Sequence, residues 1–354
     1  MCFGESHGKC VGMVVDGCPA GLPLHESDIQ LQLDRRRPGT SVITTQRKEE
    51  DKVQIISGLF NGFTSGAPIC MLIWNQDQDS GPYELIKTKP RPGHADYQAM
   101  VKYGGFADYR GGGRFSGRLT AALVMAGSVA QKLLQYSLGI ETIAYTKEIG
   151  GIMAASIDLM EAKKNRYSND VRCPDITKAE KMKAAIMQAR RDGDSLGGII
   201  ECISTGLPVG LGEPIFASLE SDLSKALFSV PAVKAVEFGS GFDGAKNRGS
   251  ENNDRYIKQE GRIITITNNA GGILGGLASG MPLVIRIGFK PASSIAKTQR
   301  TVDLLTGAQI DLNVPGRHDP CVVPRAPPII ECAVSTVLTD HALRGGYIPP
   351  VLKR

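Results

Sequence analysis

Short apolar stretches alternate with longer amphipathic ones along this chain of 354 residues, and the two patterns predict strands and helices. Runs rich in β-branched residues predict strands at 11–15, 53–57, 69–74, 199–204, 263–267 and 283–289. Apolar residues at steps of three or four predict helices at 26–37, 119–136, 177–191 and 331–343. Thr177 and Glu180 have capping-box spacing, which predicts that the third helix begins at Thr177. Because the elements interleave without a repeat or a clear linker, we expect an α+β protein forming a single domain over residues 1–354.

Composition narrows the possible functions mainly by exclusion. The net charge is only +5, and the basic residues form short clusters, which argues against nucleic acid as a partner. The eight cysteines include no Cys-x-x-Cys pair, so neither a metal site nor a disulfide framework is expected. No secretory signal and no uncharged apolar segment of membrane-spanning length is present, so we expect a cytoplasmic protein with no membrane contact.

The segment 108–120 carries the strongest chemical signal. Arg110, Arg114 and Arg118 recur at every fourth position around the consecutive glycines 111–113, and a predicted helix follows. Glycines let backbone N–H groups approach a ligand, and a helix N-terminus favours an anion. Guanidinium groups pair with phosphate or carboxylate oxygens. We therefore predict an anion-binding segment here, in preference to a solvated glycine-rich loop.

Further candidate residues lie in short sequence motifs elsewhere in the chain. His7 lies between small residues, and His94 lies two residues before Asp96 on a predicted turn. Arg317 and Asp319 would point the same way in extended chain, so both side chains could face one pocket. His25 and His341 are expected to be structural. The segments 269–276 and 290–294 each follow a strand and fit either a phosphate-binding turn or a plain turn. Neither segment by itself establishes a ligand-binding site.

In combination these motifs resemble the chorismate synthase family. The resemblance is carried by Gly-Glu-Ser-His-Gly at 4–8, Asp-Arg-Arg-Arg-Pro-Gly-Thr at 34–40, Arg-Pro-Gly-His-Ala-Asp-Tyr at 91–97, Asp-Tyr-Arg-Gly-Gly-Gly-Arg at 108–114, Asn-Ala-Gly-Gly-Ile-Leu-Gly-Gly at 269–276 and Arg-His-Asp-Pro at 317–320. It implies a β-α-β sandwich specific to that family, a homotetramer and reduced FMN as cofactor. It also implies a carbon–oxygen lyase of the shikimate pathway to aromatic amino acids. In that last step, 5-enolpyruvylshikimate 3-phosphate loses phosphate by 1,4-anti elimination to give chorismate, without net redox change.

The resemblance also implies a role for individual residues. Substrate contacts are expected from Ser6, Arg36, Arg47 and Arg118. Flavin contacts are expected from Arg114, Phe115, Ser116, Pro231, Ala232, Gly275, Lys290, Pro291, Ala292, Ser293, Ser294 and Arg317. His7 is expected to protonate the departing phosphate, His94 to support charge at the flavin N1 edge, and Asp319 to act near flavin N5. Several cations are required because the substrate phosphate and two carboxylates, with the FMN phosphate, are costly to bury unpaired.

Some positions depart from the family pattern, and two alternatives stay open. Val42, Phe115 and Leu119 replace polar groups usual in the family, and only residues 1–3 precede the first motif, so a short or clipped first strand is expected. No added nicotinamide segment is evident, so NAD(P)H is expected to act through a separate flavin reductase. The alternatives are a flavin-dependent oxidoreductase with an anionic acceptor and a non-enzymatic RNA-binding protein that uses the Arg-Gly segment.

Overall fold

Strands and helices interleave along the chain, which the computed structural model describes over residues 1–39, 41–45, 47, 49–314 and 318–353. The strands are β1 (Cys2–Gly4), β2 (Cys10–Val15), β3 (Val53–Ile55), β4 (Leu59–Phe60), β5 (Phe63–Thr64), β6 (Ile69–Trp74), β7 (Glu141–Ile149), β8 (Ile152–Met153), β9 (Gly198–Thr205), β10 (Val233–Phe238), β11 (Tyr256–Gln259), β12 (Arg262–Thr265), β13 (Ile273–Leu274), β14 (Leu277–Ala278), β15 (Leu283–Phe289), β16 (Gln299–Val302) and β17 (Gln309–Leu312). The α-helices are α1 (Glu26–Arg36), α2 (Gly81–Glu84), α3 (Asp96–Lys102), α4 (Thr120–Leu138), α5 (Leu159–Asn165), α6 (Ile176–Arg191), α7 (Leu219–Phe228), α8 (Gly241–Gly244), α9 (Gly249–Asn252) and α10 (Pro327–Arg344).

Two antiparallel sheets organise these strands. One has the order β1-β2-β6-β3, and the other has the order β10-β15-β9-β7-β8. Side chains alternate across each sheet: Ile69, Met71 and Ile73 of β6 are buried, as are Leu283 and Ile285 of β15. The remaining strands pair as the hairpins β4–β5, β11–β12, β13–β14 and β16–β17.

Helices α1, α4 and α10 pack against one another and against the sheets. Helix α4 contacts α1, α10 and β2, while α10 contacts β7 and α7. The close approach of α4 to α10 requires glycine at position 127, because a Cβ there would lie 2.1 Å from the Cβ of Cys332. The largest cluster of buried side chains includes residues of both sheets and of these three helices. The α+β prediction is confirmed, and the single domain stays a prediction.

The structure confirms most of the long predicted elements and corrects several boundaries. Strands at 69–74 and 283–289 and the helix at 119–136 are present, the last as α4. The N-cap of α6 is Asp175, whose carboxylate accepts from Lys178 N at 3.0 Å, so the prediction of Thr177 is wrong. Helix α10 begins earlier than predicted because Pro327 and Pro328 occupy its first turn, where proline is tolerated. Strands β7 and β10 and helix α7 were not predicted.

Two further expectations concern burial and membranes. Burial raises the pKa of the Cys202, Cys321 and Cys332 thiols to about 12, as expected for structural cysteines, whereas Cys70 is only partly buried. None of the described helices combines the length and the apolar character needed to cross a membrane.

Candidate active site

A cavity of about 610 Å³ gathers most of the residues that the sequence singled out. It is lined by Ser6, His7, Arg36, Arg47, His94, Arg114, Phe115, Ser116, Arg118, Pro231, Ala232, Lys290, Pro291, Ala292, Ser293, Ser294 and Asp319. Gly275 is not among the lining residues, because it forms the turn of the β13–β14 hairpin. That hairpin packs against the start of α7, where Leu219 N donates to Gly276 O. Arg317 lies outside the described residues.

Two of the three consecutive glycines 111–113 make room for the two histidines. All three have positive φ, of 58°, 82° and 52°. A Cβ on Gly111 would lie 2.3 Å from Cδ2 of His7, and one on Gly112 would lie 3.1 Å from Cε1 of His94. The sequence predicts that these glycines let the backbone approach an anion. In the structure, Gly111 and Gly112 let the chain pass directly beside two imidazole rings, whereas a Cβ on Gly113 would lie 2.1 Å from Asp108 O.

The imidazole ring of His7 is held by two neighbouring side chains, one at a ring nitrogen and one that meets the ring edge-on. Its Nδ1 atom is 2.9 Å from Ser80 Oγ, and its ring meets the Tyr83 ring edge-on with centroids 5.3 Å apart. Burial, followed by the nearby positive charge of Arg47, lowers the pKa of His7. The lowered pKa makes the proton of a charged His7 easy to give up, which suits a proton donor.

His94 lies on the opposite side of the glycines and is held by acidic and basic neighbours. Asp96 Oδ1 is 2.6 Å from Nδ1 of His94, and Arg91 binds Asp96 through Nε at 2.8 Å and Nη2 at 2.7 Å. Arg91 Nη1 also donates to Ser294 Oγ at 3.2 Å, and Lys290 Nζ donates to Gly93 O at 2.5 Å. These two hydrogen bonds therefore connect the turn that carries His94 to the segment 290–294.

A buried carboxylate holds two of the predicted substrate arginines. Asp51, whose side chain has no exposed surface, accepts from Arg36 Nη1 at 2.9 Å and from Arg118 Nη1. Arg36 also donates through Nε to Thr120 Oγ1 at 3.1 Å. Burial, followed by the neighbouring Arg325, lowers the pKa of Arg36, although a guanidinium remains protonated near neutrality. Among the described residues, Arg118 Nη2 is buried with no hydrogen-bond acceptor, and Glu49 Oε2 is 3.9 Å away.

The remaining polar side chains of the cavity are also fixed by partners. Asp319 Oδ1 accepts from Thr45 N at 2.8 Å, and its Oδ2 accepts from Arg325 Nη1 at 2.5 Å. Arg47 donates to Glu49 Oε1 through Nε at 3.1 Å and Nη2 at 2.5 Å. Both oxygens of the Asp319 carboxylate are therefore engaged, which fixes its orientation.

Phe115 and the segment 290–294 form a different part of the wall, with apolar surface beside a cation and hydroxyls. Lys290 N donates to Ala232 O at 2.9 Å, which joins this segment to the Pro231–Ala232 turn. Burial, followed by Lys234, lowers the pKa of the Lys290 ammonium. This wall fits a flat apolar ring that carries a phosphate.

Comparison with known proteins identifies the family. A sequence profile described as chorismate synthase matches residues 1–343. The chain belongs to the chorismate synthase family. Chorismate synthase of Dehalococcoides mccartyi is 53% identical over 352 residues, covering 99% of this chain and 96% of that protein. Chorismate synthase of Korarchaeum cryptofilum is 55% identical over 342 residues, covering 97% and 94%. A crystal structure of chorismate synthase has a TM-score of 0.77 at 29% identity and covers 98% of this chain and 91% of its own.

Of the three departures from the chorismate synthase pattern, only Phe115 lines the cavity. Leu119 packs against the hydrophobic core, and Val42 is 60% exposed, with its carbonyl accepting from Arg190. The sequence argument missed Asp51, which holds two arginines from positions distant in sequence. It quoted Asp96 within a motif without giving it a role.

Proposed function

We propose that this chain catalyses the reaction of its family, the 1,4-anti elimination of phosphate from 5-enolpyruvylshikimate 3-phosphate to give chorismate. The observation that supports this most directly is the buried Nη2 of Arg118 at the wall of the cavity, which has no hydrogen-bond acceptor among the described residues. An unsatisfied buried donor costs about 1–3 kcal/mol, and an anionic oxygen would remove that cost. Arg36 binds the same Asp51 carboxylate, which holds the two guanidinium groups beside each other in the cavity wall.

The substrate-side roles follow from which groups the cavity holds near one another. We assign substrate anions to Arg36, Arg47 and Arg118, with Ser6 beside them, where Ser6 Oγ accepts from Ser116 Oγ at 3.2 Å. His7 is proposed to protonate the departing phosphate, because its lowered pKa favours release of a proton. This assignment requires His7 to be protonated when substrate binds, and the negative charge of the bound phosphate favours that state.

Reduced FMN is proposed as the cofactor, because the donor set beside the apolar wall fits it. Lys290, Ser293 and Ser294 supply a cation and hydroxyls for a phosphate, while Phe115 and Pro231 supply apolar surface for a ring. When bound, the reduced flavin supplies electron density that assists cleavage of the carbon–oxygen bond and is regained afterwards. The other proposed contacts are Arg114, Ser116, Ala232, Pro291 and Ala292.

Two polar side chains are proposed to stabilise charge and to transfer a proton at the end of the cavity where the cofactor would bind. His94 is proposed to stabilise negative charge at the flavin, and Asp319 to accept a proton close to flavin N5. Thr45 N and Arg325 hold Asp319 at a fixed orientation for that task.

The finer features of the family are also proposed here. They are the β-α-β sandwich as the arrangement of layers, a homotetramer, a cytoplasmic location, and NAD(P)H acting through a separate flavin reductase. The RNA-binding alternative loses its basis, because Arg114 and Arg118 line the cavity and Arg110 pairs with Asp108 at 2.8 Å.

Stoichiometry tests the lyase against a flavin-dependent oxidoreductase. Under anaerobic conditions, one equivalent of chemically reduced FMN should support many turnovers of 5-enolpyruvylshikimate 3-phosphate, since the substrate loses phosphate and a proton but no hydride. Oxidised FMN should give no product. Chorismate is followed by absorbance and released phosphate by a coupled assay. Product formation that stops after one equivalent per flavin would instead identify an oxidoreductase.

A further inference from the structure

Arg91 and Asp96 form a compact group with His94, although neither was expected to have a role of its own. Asp96 Oδ1 lies 2.6 Å from His94 Nδ1 and accepts from Arg91 Nη2 at 2.7 Å. Asp96 Oδ2 accepts from Arg91 Nε at 2.8 Å and from Arg91 N at 3.0 Å. The side chain of Arg91 is only 4% exposed, so this paired contact is sheltered from water. The carboxylate is therefore rigidly positioned before it meets the imidazole.

The ionised state of Asp96 decides which atom carries the hydrogen between the two groups. Burial acts to raise the pKa of Asp96, but hydrogen bonds from Arg91 and His94 outweigh it and hold the pKa well below its usual range. An ionised carboxylate only accepts hydrogen bonds. A ring nitrogen 2.6 Å from it must therefore carry the hydrogen.

Arg91 does not compete for the same ring position. Its Nη2 atom is 3.1 Å from Nδ1 and 3.4 Å from Nε2 of His94, nearly equal distances that indicate a group lying across the ring. The shortest polar contact of Nδ1 is with Asp96. Gly112 flanks the other edge, where a Cβ would lie 3.2 Å from Nε2.

We propose that Asp96 is a positioning residue that keeps one hydrogen of His94 on Nδ1, so that Nε2 is the nitrogen that gains the second proton and then donates a hydrogen bond to negative charge in the cavity. The hydrogen bond at one ring nitrogen sets the tautomer, and hence the chemistry available at the other. This deepens the proposed function and rests on it for the use made of Nε2. The position of the hydrogen itself is independent of any activity.

His341 offers a matched comparison within the same chain. Its Nε2 atom is 3.0 Å from Asp222 Oδ2, and Arg344 Nη2 lies across its ring, 3.1 Å from Nδ1 and 3.3 Å from Nε2, as Arg91 does at His94. By the same reasoning its hydrogen lies on Nε2. The two histidines paired with aspartates should therefore have opposite tautomers in one sample.

Solid-state nitrogen-15 NMR of the full chain, labelled at its five histidines, tests the assignment at mildly alkaline pH. Difference spectra against His94→Gln and His341→Gln identify the two rings. We expect a protonated Nδ1 for His94 and a protonated Nε2 for His341. A protonated Nε2 on neutral His94 would overturn the proposal, and His94→Asn supplies the same assignment if His94→Gln does not fold.

Asp96→Ala supplies the second measurement, with Asp222→Ala as its control. Asp96→Ala should move the His94 hydrogen toward Nε2 and lower kcat by roughly 10- to 100-fold, the range found when a carboxylate orienting a metal-bound histidine is removed. The substrate KM should change much less, because Asp96 does not line the cavity. Asp222→Ala should leave the His94 signals unchanged. An unaltered His94 tautomer in Asp96→Ala would refute the proposal, whereas the expected tautomers in a chain that makes no chorismate would refute the proposed function alone.

Discussion

Replacing Gly111 with alanine tests whether the glycines of segment 108–120 exist to accommodate His7. The added Cβ would lie 2.3 Å from Cδ2 and 2.5 Å from Nε2 of His7, and 2.8 Å from Ser6 Oγ. Non-bonded carbon atoms normally approach to about 3.5 Å, so the ring or the backbone must move by about 1.2 Å. A misplacement of about 1 Å in a catalytic group can cost roughly 10²-fold in rate. We therefore expect kcat of Gly111→Ala to fall roughly 10²-fold.

Gly105→Ala separates this displacement from backbone strain. Gly105 also has a positive φ, of 83°, but a Cβ there would meet nothing within 4 Å, and the residue does not line the cavity. Both variants should lose about 1–2 kcal/mol of unfolding free energy from the left-handed conformation, measured by urea denaturation. Only Gly111→Ala should lose turnover, measured with anaerobically reduced FMN. If its kcat stays within about threefold of that of Gly105→Ala, His7 is not the group that this glycine accommodates, or His7 has no catalytic role.

The remaining predictions concern the polar residues of the cavity. His7→Ala and His94→Ala should each lower kcat roughly 10²–10⁴-fold, with little change in FMN affinity by fluorescence titration, and near-normal rates in both would make the histidines structural. Arg118→Ala should weaken substrate binding by about 1.5–3 kcal/mol, measured through KM, while an unchanged KM would remove it from the substrate site. The same variant should also melt at a lower temperature, because Asp51 then keeps Arg36 as its one charged partner within the described part of the chain. Burial opposes ionisation of Asp51, but Arg36 and Arg118 lower its pKa below the unfolded value of 3.8, so its stabilising contribution is present above that pH and is lost as the pH falls through the folded value. Urea titrations across this acid range should therefore show a shallower loss of stability for Asp51→Asn, and equal slopes would contradict the reasoning.

Local pattern was enough to predict the elements whose burial is regular. The strand at 283–289 alternates buried and partly exposed positions and so reveals its period directly, whereas helix α4 is buried on most of its surface and is indicated by the length of its apolar pattern. Strand β10 escaped prediction because its Lys234 and Glu237 interrupt the apolar run while its hydrogen bonds to β15 supply the structure. In such cases pairing with a distant strand decides the conformation.

The same distinction between local pattern and long-range contact applies to the residues of the candidate site. The sequence indicated an anion-binding segment, because residue type and spacing carry that information. It gave no sign of Asp51, which meets Arg36 and Arg118 only after the chain has folded. It also misjudged Gly111, because the reason for that glycine is the ring of His7, far away in the sequence. Motifs indicate which chemistry is present, while long-range contacts determine which atoms are left to perform it.

Two carboxylates behind the cavity wall, Asp51 and Asp96, share one arrangement, and it bears on how the site can hold several anions. Asp51 and Asp96 do not line the cavity, yet they accept hydrogen bonds from the cavity residues Arg36 and His94. Each takes one donor of its partner and fixes the side chain, so the partner's other nitrogens keep a defined direction. Arg118 shows the consequence, since Asp51 binds its Nη1 and leaves Nη2 buried, with no hydrogen-bond acceptor from the residues that the structure describes. Carboxylates behind the wall thus reduce the repulsion among closely spaced cations without occupying the positions that the ligand oxygens need.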